Sequence, residues 1–72
     1  MLNYITATGL SDYKDILINL DHIIRIAPDE SNHTLFTDRT GTTFAVYEPI
    51  ENIAATIRII QAAQLSQNDR KE

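Results

Sequence analysis

Residues 33–57, HTLFTDRTGTTFAVYEPIENIAATI, decide the fold, because the hydrophobic period changes inside them. HTLFT (33–37) and TTFAVY (42–47) alternate in the two-residue rhythm of a half-buried strand. Between them DRTG (38–41) has the composition of a hairpin loop, with Gly41 at the position that needs a positive φ. After Glu48-Pro49 the rhythm lengthens: Ile50, Ile53, Ala54, Ile57 and Ile60 fall on one side of a helix. Proline suits the first helical position because its missing N–H has no partner there. Glu51 in the first turn meets the positive end of the helix dipole.

Upstream, INLDHIIRIAP (18–28) sets Asp21-His22 inside a run of Ile, Leu and Ala. IIRIA (23–27) reads as a strand rich in β-branched residues, ended by the breaker PDESN (28–32). ILIN (16–19) reads as a shorter strand. Asn19 is placed to cap a brief turn over 20–22, since its side chain bonds backbone amides two or three residues on. LNYITAT (2–8) reads as the first strand, and GLSDYKD as the loop that follows. Three consecutive short strands with tight connections make an antiparallel meander.

The expected architecture is α+β: a small, curved, antiparallel sheet of four or five strands with one C-terminal helix packed on it. The domain spans 1–64 and is followed by a polar tail, 65–72, expected to fray. The expected core is Ile16, Ile18, Ile24, Ile26, Phe36, Phe44, Val46, Ile50, Ile53, Ile57 and Ile60.

A chain of 72 residues buries only about 60% of the surface its unfolded form exposes, so its core is marginal. Small folds commonly need a staple. The sequence has no cysteine, which removes disulfides and thiolate metal sites. Oligomerisation is the remaining staple. The second face of the helix fits it: Ala55, Ile59, Ala62 and Ala63 lie opposite the Ile50/Ile57 stripe at 100° per residue. Small residues let a second backbone approach, and Ile59 supplies an apolar anchor. The outer sheet face, with Leu35, Ala45 and Tyr47, is a competing surface for self-association.

The formal charge is −4, from six cations against ten acids. Lys14, Arg25, Arg39, Arg58, Arg70 and Lys71 form no stripe, whereas nucleic-acid binding draws on clustered cations. The same count disfavours an anionic membrane surface. No apolar run approaches the roughly 18–20 residues that span a bilayer. The opening MLNYITATG lacks a basic leader, so a cytoplasmic location is the expectation. Asn32-His33-Thr34 matches a glycosylation sequon, which has no role without secretion.

On a strand neighbouring side chains point to opposite faces, which keeps Asp21 and His22 from the hydrogen-bonded pair that catalysis requires; a tight turn at 20–22 would loosen that geometry. No Ser or Cys nucleophile is marked by its context, and no catalytic residue is assigned. His22, His33, Asp29, Glu30 and Asp38 have none of the spacings that present metal ligands together. SDYKD and DRTGTT lack the following helix that phosphate cradles use. No cofactor is implied.

The stretches MLNYIT, LINLDHIIRIAPD and LFTDRTGTTFAVYEPIENI together resemble the small flagellar-operon FlbD family, a bacterial group, over residues 1–57. The chain departs from that pattern at its first hairpin, where TGLSDYKD replaces a tight turn. The resemblance implies a fold and a non-enzymatic role, with no catalytic residues to carry over. The texture of DHIIRI is also similar to LytTR-type DNA-binding domains, which are longer and basic on their reading face. The leading expectation is therefore a non-enzymatic interaction or assembly module that forms a homo-oligomer and meets a protein partner. A nucleic-acid-binding regulator and a small-ligand or metal-binding domain using His22 and His33 are the alternatives.

Overall fold

A computed structural model describes residues 3–69, with side chains through residue 64. Strands β1 (Tyr4–Thr8) and β2 (Asp15–Asn19) form an antiparallel hairpin that pairs Ile5 with Ile18 and Ala7 with Ile16. The period-2 alternation buries Ile5, Ala7 and Ile18 and turns Tyr4, Thr6 and Leu17 outward. In the connecting turn Gly9 N–H donates to the Lys14 carbonyl at 2.8 Å, and Tyr13 N–H to that of Gly9 at 2.9 Å. A Cβ on Gly9 would stand 2.9 Å from Asp12 Oδ1, which is why the smallest residue fits there.

A single 3₁₀ turn, Leu20–His22, follows, and the Asn19 side chain accepts from Asp21 N–H as the capping argument expects. Strands β3 (Ile23–Pro28), β4 (Thr34–Asp38) and β5 (Thr43–Val46) then form a meander in the order β3-β4-β5. The β4–β5 loop carries Gly41 at φ 88°, the left-handed position of a three-residue hairpin loop.

The strands do not make one sheet. The hairpin and the meander are two separate sheets, joined at the isolated bridge Gly9↔Val46. The bonds beside it are Tyr47 N–H to the Thr8 carbonyl (2.8 Å) and Leu10 N–H to that of Ala45 (3.2 Å). The reason is local. Immediately past Leu10 the chain must reverse to begin β2, so β1 leaves β5 before a ladder can grow. We call this junction the seam.

Phe36 and Val46 are fully buried, and with Ile5, Ala7, Ile18 and Ile53 they form the core. Ile16, Leu20, Ile23, Ile26, Phe44, Ile57 and Ile60 pack around it, half-buried. Ile24, expected inside, is 67% exposed. A β-bulge between Ile23 and Arg25 inserts an unpaired residue opposite Asp38 and Thr37. The insertion breaks the strict alternation, so Ile23 and Ile26 both reach the core and Ile24 turns out. Ile50 is half-buried at the start of the helix and lies outside the core cluster.

Helix α1 (Ile50–Asp69) begins one residue after Pro49, whose carbonyl accepts from Asn52 N–H (3.0 Å) and Ile53 N–H (3.3 Å). Its main packing contact among the strands is with β3. Twenty helical residues are about 30 Å long, and the molecule measures 46 × 24 × 20 Å. Of the polar stretch 65–72, residues 70–72 and all the side chains lie outside the described residues.

Candidate functional site

The residues singled out from the sequence are found in three places. Ala55, Ile59, Ala62 and Ala63 are all exposed on α1, opposite the Ile53, Ile57 and Ile60 stripe that meets the core. Ile59 keeps 69% of its surface in solvent. Isolated exposed isoleucines are common; this one shares its helix face with three exposed alanines. The competing surface is less open: Leu35 and Ala45 oppose each other across β4 and β5 and are half-buried, while Tyr47 is exposed.

Asp21 and His22 both lie in the 3₁₀ turn and are exposed. Asp21 has the Asn3 side-chain amide at 3.5 Å, the outer limit of a bond. The His22 carbonyl accepts from Arg39 N–H at 2.9 Å. Among the described residues the carboxylate within 4 Å of an imidazole is Asp29, whose Oδ2 stands 3.8 Å from His33 Nδ1. Asp29 Oδ1 is already engaged by the amides of Ser31 (2.8 Å) and His33 (2.9 Å). Asp38 does the same for the next turn, accepting from Thr40 N–H, Thr40 Oγ1 and Thr42 N–H. The Thr40 hydroxyl first, then those amides and the nearby His22, hold the Asp38 carboxyl below its ordinary range against the effect of desolvation. His22 and Asp38 sit at one end of the β3–β4 pair, and Asp29, Glu30 and His33 at the other. The topology does not bring the five together, and no group of three metal-ligating side chains gathers among the described residues.

Two arrangements escape a sequence reading. The first is a latch across the seam. Thr8 N–H donates to both Glu48 oxygens (2.9 and 3.1 Å), and the Thr8 hydroxyl donates to Oε2 at 2.8 Å. The fully buried Thr34 hydroxyl donates to the Glu48 carbonyl at 2.8 Å. Partial burial pushes the Glu48 carboxyl up; the two Thr8 donors and its own backbone N–H outweigh this and hold it below its ordinary value of 4.5. A carboxyl depressed on folding adds stability above its unfolded value, and that contribution fades as pH falls through the folded value. Glu48→Gln is therefore expected to cost about 1–2 kcal/mol at neutral pH. The gap from wild type in urea unfolding should close as pH drops below 4.5. A gap that stays constant from pH 7 to pH 3 would contradict the latch.

The second is a row of rings from three segments, Tyr13 and Tyr47 exposed and His33 half-buried. Tyr13 and Tyr47 meet edge to face at 5.8 Å between centroids, and His33 lies 5.4 Å from Tyr47. Tyr13 is 67% exposed and holds φ at 58°. A side chain in the left-handed region costs about 1–2 kcal/mol, which glycine or asparagine largely avoids. The available signal was an aromatic inside GLSDYKD, a turn otherwise made of small and polar residues. A different depression is an open groove of about 690 Å³ along the seam between Leu10, Ile16, Phe44 and Ala45. Its one carboxylate, Asp12, accepts from Lys14 N–H.

No family model, curated protein or solved structure matches the chain.

Proposed function

We propose that the protein is a non-enzymatic assembly module that self-associates through the Ala55/Ile59/Ala62/Ala63 face of α1. The observation that carries this is Ile59, 69% exposed among alanines on the outer face of α1. Shape supports it. A compact chain of 8.1 kDa exposes about 4,500 Å², whereas this one exposes 5258 Å². The radius of gyration, 13.4 Å, likewise exceeds the roughly 11 Å of a compact chain this long.

A two-fold contact uses each face twice. Burying Ile59 contributes about 1.5–3 kcal/mol per subunit, against an association cost of about 4–15 kcal/mol. The alanines must add close packing for the sum to be favourable. Light scattering at tens of micromolar is expected to give a dimer or a higher assembly. Ile59→Glu should give a monomer with unchanged far-ultraviolet circular dichroism. A monomeric wild type ends the proposal, and an Ile59→Glu protein that keeps its oligomeric mass moves the contact to the Leu35/Ala45/Tyr47 surface. Because the chain has no cysteine, an Ala62→Cys variant reports independently, by disulfide-linked dimer formation.

A further inference from the structure

The geometry points to the Tyr13–Tyr47–His33 surface as a docking site for a proline-rich peptide carrying basic residues. This rests on the interaction-module reading for its class of function, but uses a surface remote in sequence from α1 Ile59.

Four observations carry it. The three rings touch in sequence, at 5.8 and 5.4 Å, and make one aromatic surface from the β1–β2 turn, the β3–β4 turn and the end of β5. A depression of about 210 Å³ lies at its foot, lined by Ser31, Asn32, His33, Tyr47 and Pro49. The supporting backbone is hydrogen-bonded: Tyr47 N–H donates to the Thr8 carbonyl, the neighbouring Glu48 accepts from Thr8, and His33 N–H donates to Asp29. The backbone also departs from ordinary geometry at this surface, since Tyr13 and Asn32 are the non-glycine residues with positive φ. A strained tyrosine that is two-thirds exposed brings little to its own core, and strain of this kind collects at binding sites.

Charge selects the partner. Asp12, Asp15, Glu30 and Glu48 lie within three positions of the rings in sequence and Asp29 Oδ2 stands 3.8 Å from His33 Nδ1, against one cation, Lys14. Such a rim repels the phosphates of RNA, although exposed rings could otherwise stack bases. It attracts Arg or Lys. Between the charges the surface is flat and aromatic, the kind on which polyproline segments dock with little conformational entropy to lose. Peptide carbonyls can accept from the two phenol hydroxyls. Addition of an extended strand is disfavoured here, because Tyr47 N–H already donates to the Thr8 carbonyl and Thr8 N–H to the Glu48 carboxylate.

The test is fluorescence anisotropy of the full chain with a labelled peptide, Arg-Pro-Leu-Pro-Pro-Leu-Pro-Arg. Saturable binding below about 1 mM is expected, weakening as salt is added. Replacing the prolines by alanine, or the arginines by glutamate, should each weaken binding about tenfold or more. Tyr13→Asn removes the ring but suits the left-handed backbone, so it should melt no lower than wild type and still bind at least about tenfold more weakly. Ile59→Glu should bind like wild type, which separates this site from the helix face. No saturation at 1 mM overturns the proposal. So does equal binding of the alanine peptide, or Tyr13→Asn binding at wild-type strength.

Discussion

Phe36→Ala is expected to remove about 3–5 kcal/mol of stability. Phe36 is fully buried, and its ring lies parallel to that of Phe44, 6° apart with centroids at 5.4 Å. That separation is an offset stack, the arrangement aromatic pairs prefer over a direct sandwich. Truncation loses the buried ring area, the stack and the packing around the vacated volume. A domain of 72 residues has about 4–10 kcal/mol in total. The variant should thus be largely unfolded by mild warming or by low urea. A melting temperature within a few degrees of wild type would show that the core lies elsewhere.

Ile53→Ala is expected to cost about 2–5 kcal/mol and to act on the helix as a unit. Ile53 is the one α1 side chain counted in the buried core, at 3% exposure, whereas Ile57 and Ile60 are half-buried around it. An isolated helix of this length is marginal in water without a packed face. Losing the anchor should lower helical circular dichroism together with the melting temperature, and weaken self-association by misplacing Ile59. Ile57→Ala should cost less. Ile24→Ala, at a position the alternation pattern assigns to the core, should fall within about 0.5 kcal/mol of wild type. If Ile24→Ala proves as damaging as Ile53→Ala, the bulge assignment is wrong.

Local rules make much of the fold legible. Alternation in HTLFT and TTFAVY, Gly41 in the loop between them and the isoleucine spacing after Pro49 place β4, β5 and the start of α1 within a residue or two; the helix itself continues to Asp69, into the stretch expected to fray. The Asn19 cap follows from its side-chain chemistry alone. The bulge is not legible, because IIRIA offers three isoleucines and either parity looks buried. A single inserted residue decides the matter, and nothing in Ile23, Ile24 or Arg25 marks it. The division into two sheets is hidden for another reason: it depends on where β1 must turn back, and on Thr8 and Glu48 meeting across 40 positions. The alternation that buries Ile5 and Ala7 was present in LNYITAT, and their burial follows from the hairpin's contact with the meander. The exposure of Ile59 follows from helical geometry, whereas the aromatic row requires three loops to converge and no periodicity encodes that.

The seam has a consequence for motion. Within the hairpin and within the meander, paired residues are neighbours in sequence, so each can close over a short loop. The Thr8–Glu48 and Gly9–Val46 contacts close a long one, at greater entropic cost, and only a few bonds cross there. The hairpin and the meander should therefore behave as two units that open apart before either melts. Hydrogen–deuterium exchange would display the order, with the Leu10 and Tyr47 amides labelling well ahead of that of Phe36. Equal protection at all three would show a single cooperative unit. Tyr13 rides on one unit and Tyr47 on the other, so a peptide laid across both rings would close the seam and slow exchange along it.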